Sequence, residues 1–194
     1  MSDRSPESRL EEFSAAIERS RRLVAESRAL ISRVQKGSTD LSFDTFQQLL
    51  TKVGIREALT YLLRLTDYRY IGIFRFQDGK ANAAVHVDRH ALGILSIEEV
   101  PDTAAFCCYV RDSNGPFVTV DSMFDPRTSE HVAREAVRSY CGVPVMDPEG
   151  RLLGTLCHYD AVPRDPEQLD LELLLQVASA LAQPGRLPPY PAKR

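Results

Sequence analysis

The sequence predicts an α+β fold, and three observations carry that expectation. Asp147-Pro148-Glu149-Gly150 is a turn with a mechanism: proline presets φ, aspartate bonds forward to the backbone, and glycine tolerates the exit geometry. Gln77-Asp78-Gly79-Lys80 carries the Asp-Gly pair of a tight hairpin. Each turn sits between short apolar runs, and stretches with helical periodicity lie at both ends of the chain. Antiparallel hairpins with flanking helices belong to the α+β class.

From the N-terminus, Leu10, Phe13, Ile17, Ser20, Val24, Ser27, Ile31 and Val34 alternate steps of three and four, a heptad seam with serine at two core positions. Ala16, Leu23 and Leu30 widen the stripe. Residues 1–37 therefore read as an amphipathic helix. It either packs on its own domain or pairs with a copy of itself, and the dimer is the expectation, because a helix projecting ahead of a domain has little else to cover its stripe. Residues 36–40 (Lys-Gly-Ser-Thr-Asp) read as a C-cap and linker. A second helical region follows over 43–65, with Phe46, Leu49, Leu50, Val53, Ala58, Leu59, Leu62 and Leu63 on its stripe and Gly54 as an interruption.

Residues 70–76 read as a strand apolar on both faces, hence central in its sheet, and 81–87 as its returning partner. Residues 88–100 read as loop, 103–111 as a short helix capped by Asp102 or Thr103, 117–120 as a short strand, 121–128 as loop and 129–138 as a short helix. The second hairpin pairs 140–146 with 152–159. Alternation places Cys157 and Tyr159 on one face and Leu156 and His158 on the other. Counting outward from the turn sets Cys141 near residue 156, so a Cys141–Cys157 contact is conceivable. The alternative is that each cysteine fills space as a small buried hydrophobe. A last helix is expected from near Pro166 to before Pro184. Its apolar arc, roughly 240°, is far wider than one sheet face requires, so a second surface should cover part of it. Residues 184–194 read as an extended, mobile, proline-rich tail.

With 194 residues, 43% hydrophobic and 26% charged, the chain has the composition of an ordinary globular domain with an extension. A formal charge of -3 offers no general attraction to nucleic acid or anionic lipid. No apolar run approaches the ~20 residues of a membrane span. The polar start, MSDRSPESRLEEF, is not a secretory signal, and four cysteines are too few for a disulfide scaffold. These features predict a cytoplasmic protein with reduced thiols.

Four stretches carry a family resemblance: residues 68–76 (YRYIGIFRF); 115–121 (GPFVTVD) with Asp125-Pro126-Arg127; 139–145 (SYCGVPV); and 150 through Gly154-Thr155-Leu156-Cys157-His158-Tyr159-Asp160. Over residues 41–183 the sequence resembles a GAF domain, the small-molecule-sensing module of bacterial and eukaryotic signalling proteins. The resemblance implies a central antiparallel sheet of five or six strands. Terminal helices, often dimerising, lie on one face, and a pocket under an irregular cover, here residues 88–138, lies on the other. Members bind cyclic nucleotides, bilins, haem, amino acids or other metabolites, and some bind nothing, so the fold does not name the ligand.

Under this reading Asp121, Asp125 and Arg127 form a polar cluster beside Phe124 that helps wall the pocket; the alternative is a turn network of Asp-before-Pro and a paired arginine. Phe106, Tyr109, Phe124 and Tyr140 line an apolar cavity or are core. With Cys157, these eight residues are the candidate ligand-binding set. Cys107-Cys108, about 100° apart on a helix, make no metal clamp, and no zinc spacing occurs. His86, His90, His131 and His158 are scattered. Cys157-His158 matches the bilin-attaching dipeptide of some GAF photoreceptors in letters only, because here it falls on a strand. Nothing identifies a cofactor, a metal site or a catalytic residue. The expected function is a dimeric small-molecule sensor, in a bacterial setting, that signals to a separate partner. The alternatives are thiol-dependent catalysis on the same scaffold and a ligand-free dimerisation module.

Overall fold

The computed structural model describes residues 21, 22, 25, 36–94, 97–165 and 169–190. The expected N-terminal heptad helix lies outside the described residues, apart from helical positions 21, 22, 25, 36 and 37. The chain divides into two units, Met1–Leu41 and Ser42–Arg194, and the second holds the sheet and both layers packed on it. The helix α1 (36–52) includes residues 36–40, where a linker was expected; Gly37, Ser38 and Thr39 are weak helix formers, not breakers. The chain turns at Gly54, φ 130°, a value open to glycine alone. Helix α2 (Ile55–Arg64) begins there, with Glu57 in its first turn and Arg64 in its last, as the helix dipole favours.

Six strands form one antiparallel sheet in the order β3-β2-β1-β6-β5-β4. They are β1 (Tyr70–Gln77), β2 (Lys80–Asp88), β3 (Val100–Pro101), β4 (Phe117–Thr119), β5 (Ser139–Met146) and β6 (Leu152–Asp160). The first hairpin closes through Asp78 and Gly79, both at positive φ, the geometry Asp-Gly favours. The second closes through residues 147–151. The Asp147 carboxylate accepts from the Glu149 and Arg151 amides, and a bulge follows at Val145/Met146. The longer loop and the bulge set Cys141 opposite His158, two residues beyond the position counted from the turn. Cys141 packs in the core under the helices, while Cys157 faces the other side, so these two thiols do not meet.

One face of the sheet packs α1, α2 and α4 (Leu171–Leu181). Ile71, Ile73, Val87, Val143, Val145 and Leu156 meet Phe46, Leu59, Leu62, Val177 and Leu181, all buried; each such side chain stabilises the fold by roughly 1.5–3 kcal/mol. Helix α4 starts later than Pro166, at the Asp170 cap, whose carboxylate accepts from the Leu173 amide at 2.9 Å. Its outer side leaves Leu171 and Leu175 exposed, and among the described residues no second surface covers that part of its wide apolar arc. Residues beyond α4 are tied back to the domain: Arg75 donates to the Pro188 carbonyl at 2.8 Å and Tyr190 to Glu99 at 2.6 Å.

The other face carries the cover. Here the expected helices shift. A 3-10 turn (Asp102–Ala104) precedes α3 (Cys107–Ser113), and neither Asp102 nor Thr103 caps it. Residues 129–138 form successive turns, not a helix. Their backbone is claimed in part from outside: Ser122 donates its hydroxyl to the Arg134 carbonyl and the Arg138 amide donates to the Asp160 carbonyl, while within the segment His131 Nδ1 accepts the Ala133 amide. Tertiary hydrogen bonds there replace the helical ladder.

Candidate functional site

Register builds the site row by row. On the cover face Thr119, Tyr140, Tyr159, Tyr70 and Asp88 stand side by side across five strands, and the next row is Phe117, Gly142, Cys157, Gly72 and His86. Cys157 thus stands between two glycines. The hollow is used by neighbours along each strand. Tyr140 folds over Gly142, where a Cβ would lie 2.3 Å from its hydroxyl oxygen, and Phe74 folds over Gly72, where a Cβ would lie 2.9 Å from its ring.

Above this floor the cover supplies Ala104, Ala105, Phe106, Cys107, Ala133 and Val137. The cavity between them measures about 140 Å³. The small residues at its roof are half-buried, so the cavity reaches the surface beside them. Two thiols meet within it: Cys107 Sγ lies 4.0 Å from Cys157 Sγ, and the Tyr140 hydroxyl lies 3.4 Å from Cys107 Sγ. Burial opposes the Cys107 thiolate, but the shared proton of Cys157 and the nearby Thr155 and Tyr140 hydroxyls prevail and draw its pKa down. Burial, then the facing Cys107, push Cys157 up. Burial also raises Cys141 to about 12.

Cys108 points away from this pair. Its Sγ lies 3.6 Å from His131 Nε2. Because His131 Nδ1 accepts the Ala133 amide, the ring proton sits on Nε2 and faces the sulfur. Burial and the charge of Asp112 raise the Cys108 pKa.

The eight candidate residues divide between two places. Phe106, Tyr140 and Cys157 line the cavity. Asp121, Phe124, Asp125 and Arg127 border a separate surface groove of about 390 Å³ along β4. There Asp121 pairs with Arg138 at 2.6 Å, and Asp125 with Arg127 at 2.6 Å. Arg127 also donates to the Val118 carbonyl and lies over the Phe117 ring. The Arg127 guanidinium holds the Asp125 carboxyl down to about 2. Phe124 is 84% exposed. Tyr109 links the two places: it stacks on Phe117 and donates its hydroxyl to the Arg127 carbonyl at 2.9 Å. These charged groups are engaged with each other rather than turned inward.

Sequence reasoning missed Phe74, Tyr159, Ala105, Ala133, Val137 and the pairing of Cys107 with Cys157. The glycines at 72 and 142 were the available signal: two strands that each omit a side chain beside Cys157. A further concavity, about 800 Å³, lies on the helix face between α1 and α4, around Leu50 and Leu175. Among the described residues no group of three or more histidines, cysteines or carboxylates is placed to hold a metal ion, and no helix is long and apolar enough to cross a membrane.

A six-stranded antiparallel sheet with helices on one face and a covered cavity on the other defines a class of small α+β domains. Residues 53–183 match the GAF domain family, and the chain belongs to that family. Its fold is similar to the GAF domain of an Acinetobacter phosphoenolpyruvate-protein phosphotransferase (TM-score 0.59, 13% identity, 75% of this chain and 90% of that one). It is also similar to a free methionine-R-sulfoxide reductase from Neisseria meningitidis (TM-score 0.56, 16% identity, 75% and 86%). A third likeness is to the chromophore-binding domain of a bacteriophytochrome from R. palustris (TM-score 0.53, 13% identity, 78% and 59%). At these identities the likeness is one of fold. In sequence, the chain is 35% identical over 75 residues to a cyclic di-GMP phosphodiesterase from Pseudomonas aeruginosa, a match covering 37% of this chain and 13% of that protein.

Proposed function

We propose that this chain is a dimeric, small-molecule-sensing regulatory module that acts on a separate signalling partner. The observation that carries the reading is the cavity walled jointly by the sheet and the cover: a ligand there touches both and biases the cover's position. Its size limits the occupant. Ligand pockets for drug-sized molecules run to roughly 300–1,000 Å³, whereas an apolar cavity of about 150 Å³ accepts benzene. A compound of about ten heavy atoms or fewer, largely apolar with one polar end for Tyr140 or the thiols, fits the closed form; a cyclic nucleotide, haem or bilin does not. The phosphodiesterase relative supports a signalling setting.

The test uses a panel of small aromatic and aliphatic compounds, led by phenol, on the reduced full-length chain. A binder at a hundredfold its Kd raises stability by about 2.7 kcal/mol, read as an increase of roughly 5–11 °C in Tm for a domain of this size. Ala133→Leu, which fills the roof, abolishes that increase while leaving the circular dichroism spectrum native. If no compound stabilises the wild type and native mass spectrometry shows no discrete added mass, the sensing reading fails.

The dimer rests on the unpartnered side of α4, with Leu171 and Leu175 exposed, and on the heptad pattern of residues 10–34. Sedimentation at micromolar concentration is expected to show a dimer that deletion of residues 1–36 weakens. A full-length chain that sediments as monomer refutes it.

A further inference from the structure

We infer that Cys107 and Cys157 form a hydroperoxide-reactive dithiol within the cavity, Cys107 as the attacking sulfur and Cys157 as the resolving one. The geometry supports it at each step. The two sulfurs are already in contact at 4.0 Å, on elements 50 residues apart in sequence, one on the cover and one on the sheet. Closing to a disulfide, about 2.0 Å between sulfurs, asks only that α3 settle toward β6. The cavity is open beside small roof residues, and its volume accommodates hydrogen peroxide or a short alkyl hydroperoxide. The Tyr140 hydroxyl, 3.4 Å from Cys107 Sγ, is placed to orient the oxidant and supply a proton.

The chemistry balances. The Cys107 thiolate attacks the terminal oxygen of ROOH. The S–O bond forms, the O–O bond breaks, and the departing alkoxide takes a proton through Tyr140 to leave as ROH. Cys157 sulfur then attacks the Cys107 sulfenic acid. The S–S bond forms, the S–O bond breaks, and hydroxide carries off the Cys157 proton as water. Two electrons pass from the thiol pair to the peroxide, and both thiol protons leave in ROH and water. The lowered pKa of Cys107 and raised pKa of Cys157 agree with this order, since the thiolate is the nucleophile. Cys141, on the opposite face, and Cys108, turned to His131, are outside the reaction. The product ties cover to sheet, so oxidation holds the cavity shut.

The experiment challenges the reduced full-length chain with hydrogen peroxide, quenches in acid, alkylates in denaturant and maps peptides by mass. The expected result is loss of two of the four thiols as one Cys107–Cys157 crosslink, restored by dithiothreitol. Cys157→Ala with dimedone present is expected to carry the adduct on Cys107, and Cys141→Ala to crosslink as the wild type does. The inference is overturned if Cys108 or Cys141 reacts first, or if Cys107 and Cys157 stay alkylatable at a peroxide dose that oxidises Met123. Should Cys157→Ala not fold, the wild-type map decides alone. The sensing reading concerns the reduced protein and has its own assay, so either can fail without the other.

Discussion

Acidification from pH 7 to pH 4 removes about 3 kcal/mol of folding stability through one side chain, His158. This histidine is 1% exposed, lies edge-on to the Tyr68 ring, and closes no well-aligned hydrogen bond from either ring nitrogen among the described residues, the Leu62 carbonyl only weakly favouring its charged form. Burial, aided by the positive charge of Arg89, lowers its pKa to about 3. Arg89 cannot swing away, because it donates to the carbonyls of Leu63, Thr66 and Tyr68. The sign follows. In the unfolded chain the imidazole takes a proton below about pH 6.5; in the native state it stays neutral until about pH 3. The unfolded state therefore binds more protons across that window, and stability falls as pH falls, at up to about 1.4 kcal/mol per pH unit.

Guanidinium unfolding at the two pH values checks this. His158→Leu, close in volume and without the stranded nitrogens, is expected to match or exceed the wild type at pH 7 and to lose far less at pH 4. Burial lowers the pKa of His86 and His131 as well, so a residual slope of the same sign persists in the variant. Equal acid losses in wild type and variant would assign the effect elsewhere.

Gly154→Ala is expected to destabilise the domain by about 3 kcal/mol, at the upper end of overpacking costs. A Cβ at this position would lie 2.5 Å from the carbonyl oxygen of Phe74 and 3.2 Å from Arg75 Cδ. The first obstacle is backbone, held in the pairing of β1 with β6, where Phe74 faces Thr155. Relief requires the two strands to part, which disturbs the core on one face and the cavity floor on the other. Gly142 presents a ring, and Gly72 a ring together with the Val85 carbonyl at 3.2 Å; rings can swing, so alanine there costs less stability but displaces Tyr140 or Phe74 from the cavity. Thermal unfolding is expected to show a fall of roughly 6–12 °C for Gly154→Ala and a smaller one for Gly142→Ala. An unchanged midpoint for Gly154→Ala would refute the close approach.

The sheet and its two hairpins were legible because local chemistry dictates them: Asp78-Gly79 and Asp147-Pro148 force turns, and alternation assigns the side chains of the strands they join to two faces, both largely buried. The facing of Cys157 against His158 came from the same alternation. The cover was not legible to the same degree. Residues 129–138 have helical propensity, yet the carbonyl of Arg134 and the amide of Arg138 bond to Ser122 and Asp160 instead. Such competition between local and distant partners leaves no local trace.

The candidate site shows the same division. Phe106, Tyr140 and Cys157, grouped by family pattern, line one cavity. Asp121, Asp125 and Arg127 joined them only in sequence; in space their charges are paired at the edge strand. Residue order alone determined the two hairpin turns, the strand faces, the buried stripe of α2 and the family, whereas Val53, expected on the stripe over 43–65, is exposed. Tertiary structure decided the register, which set Cys141 against His158, and the descent of α3 onto β6, which put Cys107 beside Cys157. The reason is that turn and periodicity signals act within a few residues, whereas a contact between sulfurs 50 residues apart depends on how two independently formed layers settle against each other.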